Sequence, residues 1–132
     1  MTSELHNEIR VGVTPEAAWA VVGDLAAAAR WVPGVVHARV DGDARVCTLA
    51  DGSEIHEDIS GYSAERRRYS YAHTQHPMPL ERSTGTLSVV PDGDGSRVVW
   101  DATVQVADPA LATMLEAGFR EAMQSLAAQL EP

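Results

Sequence analysis

The last quarter of the chain constrains its fold more than any other segment. A strand-like run, Ser96–Ala107, leads into Asp108-Pro109 and then into an alanine-rich stretch reaching almost to Pro132. Asp108 can accept backbone N–H bonds as an N-cap, and Pro109 suits a first helical turn, where no N–H is needed. Leu111, Leu115, Gly118, Phe119, Ala122, Leu126 and Leu130 then recur at steps of three and four, drawing one apolar stripe along a helix. A helix of roughly 22 residues is about 33 Å long, enough to cross a small domain. Nearly everything between residues 35 and 107 reads as short strands, so the stripe has only a sheet to lie on. A curved sheet holding one long helix leaves a hollow between them, and hollows bind ligands.

Upstream, Glu4–Val13 reads as a strand, and Thr14-Pro15-Glu16 as a helix start: Thr14 caps, Pro15 takes the first turn, Glu16 complements the dipole. Ala17–Asp24 and Leu25–Trp31 are two short helices, the second ended by Pro33-Gly34. Six more strands follow at Val35–Asp41, Ala44–Ala50, Ser53–Ser60, Arg66–Gln75, Glu81–Val90 and Ser96–Ala107. Gly42-Asp43 and Asp51-Gly52 read as two-residue hairpin links, and Pro91–Gly95 as a flexible acidic loop. His76–Leu80 is a proline-stiffened connection. The expected class is α+β, one domain over residues 1–132: a strand, two short helices, six antiparallel strands and a long helix covering the sheet's apolar face.

A formal net charge of −9 argues against nucleic acid, which needs clustered Lys and Arg, and against anionic membrane surfaces. The one basic run, Arg66-Arg67-Arg68, has acidic residues around it and reads as a solvated turn. The lone Cys47 excludes an internal disulfide. With no basic neighbour apparent, it reads as a buried, inert thiol. No signal peptide or apolar run of membrane-spanning length is visible, so a soluble cytoplasmic protein is expected. Aromatics make up 5% of the chain, and alanine and valine carry the hydrophobic burden. Small side chains fill space poorly, which fits an internal cavity; it fits the alanine bias of a GC-rich genome equally well.

Several local motifs resemble the START/Bet v1-like superfamily, specifically its bacterial polyketide cyclase/dehydrase group. They are Thr14-Pro15-Glu16-Ala17-Ala18-Trp19, Asp24, Trp31-Val32-Pro33-Gly34-Val35, Asp51-Gly52, Tyr69-Ser70-Tyr71, Gly85-Thr86-Leu87 and Gly95-Ser96-Arg97-Val98-Val99-Trp100. They cover nearly the whole chain, but mostly serve packing and turns. The resemblance implies a helix-grip fold, a curved seven-stranded sheet around the C-terminal helix, with a cavity for an apolar or aromatic small molecule. Members include cyclases, dehydratases and lipid or hormone carriers, so fold leaves the activity open.

Strand alternation sorts the candidate site. Glu57 shares a face with Ile55 and Ile59, so it should point inward, where desolvation would raise its pKa toward acid–base use; a salt bridge to a strand neighbour is the plainer alternative. Arg67, Tyr69, Tyr71, His73 and Gln75 share one face of their strand. Tyr71 can hydrogen-bond a ketone or enolate oxygen, and His73 can shuttle a proton. Ring closure or dehydration of a polyketide needs a base beside a carbonyl and a donor for the developing oxyanion, and Glu57, Tyr71 and His73 are those types. Trp31, Tyr69, Leu87, Trp100, Met114, Phe119 and Met123 are the expected ligand-binding walls, with Trp31 at the entrance; all also read as ordinary core. Arg67 and Arg82 are the only arginines expected to face the cavity. Neither His73/His76 nor His56/Asp58 has a zinc spacing, and no phosphate loop or nucleophile elbow occurs, so no metal or cofactor is expected. Three roles remain: a cofactor-free acid–base enzyme, a small-molecule or lipid carrier, and a protein-interaction module with a collapsed cavity. The partner is expected to be a small hydrophobic molecule, and the chain a monomer or homodimer.

Overall fold

Seven antiparallel strands form one curved sheet in the structure, a computed structural model that describes residues 2–132. They are β1 (Thr2–Val11), β2 (Val35–Asp41), β3 (Ala44–Leu49), β4 (Glu54–Ser63), β5 (Arg68–Gln75), β6 (Leu80–Asp92) and β7 (Gly95–Val106), in spatial order β1-β7-β6-β5-β4-β3-β2. Helix α1 (Pro15–Val22) and helix α2 (Ala28–Trp31), the latter entered through a 3-10 turn at Leu25–Ala27, follow β1. Helix α3 (Pro109–Leu130) closes the chain. This is the helix-grip fold expected from the sequence. Both helix starts are built as their residues dictate: Thr14 Oγ1 accepts the Ala17 N–H at 3.2 Å, and Asp108 Oδ1 accepts the Ala110 N–H at 2.9 Å.

Two connections differ from expectation. The presumed loop Pro91–Gly95 is a tight turn at Gly93-Asp94, with Pro91 and Asp92 inside β6 and Gly93 at φ 61°. Pro91 is tolerated because β5 pairs with β6 only as far as Ser88, leaving its missing N–H on an unpaired side. The β3–β4 link is longer by one residue than Asp51-Gly52. Leu49 and Ser53 close it, the Gly52 N–H bonds to the Leu49 carbonyl at 2.9 Å, and Gly52 takes φ 88°. That is a turn followed by a left-handed glycine, the usual three-residue hairpin. It places Arg45 opposite Glu57.

The core lies between the concave sheet face and the helices, with Val11, Val22, Tyr69, Leu87, Val98, Val104 and Leu126 almost wholly buried. The two halves of α3 behave differently. Ala122, Met123 and Leu126 in its second half enter the core, whereas Leu111, Leu115 and Phe119 in its first half are only half-buried. Met123 is therefore a packing residue and not a cavity wall as expected, because it sits where helix and sheet already touch. Leu126→Ala should cost about 2–5 kcal/mol through the void it opens. Leu115→Ala, which only enlarges an existing space, should cost clearly less; urea unfolding of both variants checks the contrast.

Candidate functional site

A cavity of about 360 Å³ separates the first half of α3 from the concave face of β3–β7, with α2 at its side. Glu57, Tyr71 and His73 line it, as do Trp31, Tyr69, Leu87, Trp100, Met114 and Phe119. Met114, 69% exposed, stands at the mouth beside Gly118. Trp31 is buried inside instead of guarding the opening, its ring edge-on to Trp100 at 6.1 Å. Trp100 in turn stacks on Phe119 with centroids 4.3 Å apart, joining β7 to α3 through aromatic faces. A broader hollow of about 750 Å³ lies on the outer sheet face over Ser70, Thr84, Thr86 and Thr103, and is open to solvent.

Polar groups cross the floor of the cavity as a row on successive strands. Arg45 on β3 pairs with Glu57 on β4, and Glu57 pairs with His73 on β5. The next position of the β5–β6 register beyond Ala72↔Thr84 brings Ser83, also a lining residue, opposite His73. Arg45 donates through Nε to Glu57 Oε1 at 2.8 Å and through Nη2 to Glu57 Oε2 at 3.3 Å, and its Nη1 reaches the Leu25 carbonyl at 3.3 Å. His73 Nε2 lies 3.2 Å from Glu57 Oε2. The Glu57 and Arg45 side chains are only 5% and 7% exposed, so the pair is screened from bulk water.

These contacts overturn two expectations. Burial pushes the Glu57 carboxyl upward, but the His73 hydrogen bond and the Arg45 charge outweigh it and hold the pKa at about 2. Glu57 is thus a fixed carboxylate, not a poised base. The cavity arginine is Arg45; Arg67 sits in a turn at φ 52°, paired with Glu16 at 2.7 Å, and Arg82 points outward because its neighbour Ser83 points in. Arg45 is also the basic neighbour that Cys47 seemed to lack, yet burial wins and pushes the thiol up to about 11. Sequence reading missed Arg45 and Ser83. Parity with Cys47 and with Leu87, respectively, was the available signal.

Tyr71 is positioned by a glycine. It faces Gly85 across β5–β6, and a Cβ there would lie 2.5 Å from the Tyr71 hydroxyl, so the ring lies over bare backbone. Its oxygen accepts the Trp100 indole N–H at 3.0 Å, and its ring stacks on His73 at 5.0 Å and 23°. Burial raises its pKa above the phenol range, which keeps the hydroxyl neutral. A hydroxyl that already accepts a hydrogen bond keeps its own proton to donate, and donates it more strongly.

Comparison with known proteins agrees with this architecture. The family model described as polyketide cyclase / dehydrase and lipid transport matches residues 2–131, and the chain belongs to that family within the START/Bet v1-like superfamily. Among curated proteins none is significantly similar in sequence. Of solved structures, the Bacillus cereus protein XoxI superimposes with TM-score 0.88 at 18% identity, covering 97% of this chain and 95% of that one. A Thermobifida fusca protein gives 0.79 at 26% identity over 96% and 92%. A Mycobacterium smegmatis START superfamily protein gives 0.79 at 15% identity over 97% of each chain. Family and fold together support a ligand-binding role.

Removing one partner of a buried pair strands the other charge. Arg45→Met should therefore cost roughly 3–5 kcal/mol, with much of it recovered when Glu57→Gln is added; urea unfolding of the single and double variants measures both. Acid should act through the same group. The folded Glu57 pKa, about 2, lies below the ordinary 4.5, so its stabilisation is complete above pH 4.5 and is lost as pH falls toward 2. Glu57→Gln should flatten the stability–pH curve over that window.

Proposed function

We propose that the chain binds a small, largely hydrophobic ring-containing molecule of polyketide type in this cavity and acts on it as a cofactor-free cyclase or dehydratase. One observation carries the reading: Tyr71 and His73 stand stacked at the polar end of an otherwise apolar 360 Å³ space, with a fixed carboxylate behind them. The volume lies at the small end of ligand sites and equals about a dozen waters. That favours a compact ring system over a diacyl lipid.

The division of labour follows from the electrostatics. His73 removes a proton from the carbon beside a carbonyl, and the electron pair moves onto the oxygen, held by the Tyr71 hydroxyl. Glu57, kept ionised by Arg45, stabilises the imidazolium that forms. In a dehydration the same imidazolium returns its proton to the departing hydroxyl, so a C=C bond and water result. In a cyclisation the enolate carbon attacks a second carbonyl of the chain, whose oxygen takes up the proton. Trp31, Tyr69, Leu87, Trp100 and Phe119 supply flat and branched walls that hold the rings. The mostly aliphatic and aromatic lining also suits a carrier, in which the same contacts set affinity without turnover.

Gly118 offers a clean test. A Cβ there would meet nothing within 4 Å, so no packing demands glycine in mid-helix. Gly118→Ala should stabilise the protein by about 0.5–1 kcal/mol. Gly118→Trp should leave the unfolding temperature near that of the wild type while obstructing the mouth. With a bound aromatic compound at a hundred times its Kd, the wild type should gain about 10 °C and Gly118→Trp almost nothing. An equal gain in both proteins would place binding elsewhere. Where turnover is found, Tyr71→Phe should lower it at least 100-fold with affinity nearly kept; an unchanged rate would leave the carrier reading.

A further inference from the structure

Among the described residues four polar or charged side chains are buried: Arg45, Glu57, Ser83 and Ser96. Three of them are answered by the protein itself. Arg45 Nε donates to Glu57 Oε1 at 2.8 Å, and Ser96 Oγ donates to the Val13 carbonyl at 3.0 Å. Ser83, only 3% exposed, has no such partner. Unlike the sealed Nδ1 of His73, its hydroxyl stays open to the cavity that Ser83 lines. Buried hydroxyls are ordinarily hydrogen-bonded, so an unanswered one facing a cavity points to what the cavity holds. Its placement is also built into the strand. The pairing of β6 with β7 slips between Leu80↔Val106 and Arg82↔Gln105, which makes Glu81 the extra residue of a β-bulge. The bulge brings Leu80 and Ser83, three residues apart, to the same concave face, and both line the cavity. Val104, opposite on β7, has no polar side-chain atom, and His73, opposite on β5, turns Nε2 toward Glu57 at 3.2 Å. The next inward position along β6 is Gly85, over which the Tyr71 hydroxyl lies. Two such positions on one strand are about 7 Å apart, so the two hydroxyls are separate points on the cavity wall.

We propose that Ser83 is a specificity-determining residue that takes a second ligand oxygen, apart from the one held by Tyr71, so that the cavity prefers ring compounds oxygenated at two non-adjacent positions. A serine hydroxyl both donates and accepts, so a ketone, an enol or a phenol oxygen can answer it. A buried hydroxyl without a partner costs stability, and a ligand oxygen removes that cost on binding. A bare hydrocarbon leaves both hydroxyls unanswered, and a singly oxygenated ring leaves one. The inference rests on the cavity being the ligand site and goes further, to the number and placing of the ligand's oxygens.

Two measurements test it. Calorimetry with naphthalene, 2-naphthol and 1,3-dihydroxynaphthalene should find the diol about tenfold tighter than the naphthol in the wild type. In Ser83→Ala that step should vanish while the affinity for naphthalene is kept. A diol advantage that survives the substitution, or none in the wild type, would overturn the proposal while leaving the cavity as the ligand site. An equal loss for all three compounds would do the same, by making Ser83 a packing residue. Failure of all three to bind the wild type would remove the cavity reading itself. Thermal unfolding of the free proteins is the second check. Ser83→Ala deletes an unanswered hydroxyl, so it should unfold at or above the wild-type temperature. A fall of about 4 °C or more would show that the fold itself uses the hydroxyl, and would overturn the proposal whatever the ligands do.

Discussion

A rigid helix cannot follow a concave sheet along its whole length, and the consequences of that mismatch run through the molecule. α3 is buried most deeply where Ala122, Met123 and Leu126 reach into the core. Toward its N-terminal end Leu115 and Phe119 are only half-buried, and the cavity lies beneath this part of the helix, walled on one side by the Phe119–Trp100 stack. Stability and binding are thereby divided along one helix. The second half supplies apolar burial worth several kcal/mol, while the first half leaves part of that gain unrealised.

Placing ionic groups on the cavity floor is costly unless each is satisfied, and here each buried member answers the next. Arg45 neutralises Glu57, Glu57 orients His73, and the Leu25 carbonyl takes the remaining arginine nitrogen. The row runs across strands, so its spacing is set by sheet geometry and not by flexible loops. Such a pair contributes little net stability over an apolar substitute. Its consequence is local: it fixes a carboxylate against one edge of the His73 ring.

Much of the fold was legible because its signals are local. Thr14-Pro15, Asp108-Pro109 and the stripe from Leu111 to Leu130 each act within a few residues, and period-two alternation brought Glu57, Tyr71 and His73 to one face. What escaped depended on register and on partners distant in sequence. Reading Asp51-Gly52 as a two-residue link puts Val46 opposite Glu57 and turns Arg45 outward; the added residue in the real loop brings Arg45 in. The Glu57 pKa was reasoned from burial alone and the cavity arginine sought at Arg67 and Arg82, because the side chain that answers Glu57 lies on another strand. Met123 was misread for a different reason: helical periodicity gives a side chain's direction but not the point at which a curved surface falls away from it.

The loop around Gly52 thus has an influence out of proportion to its size. Side chains alternate along β4, so a length change in the turn that slips its pairing with β3 by one residue would turn His56 and Asp58 inward and Glu57 outward. The interior would then present an imidazole and a new carboxylate without a single substitution on the strand. For a scaffold of this kind, insertion or deletion at a hairpin tip is a route to changed cavity chemistry quite separate from point mutation of the walls.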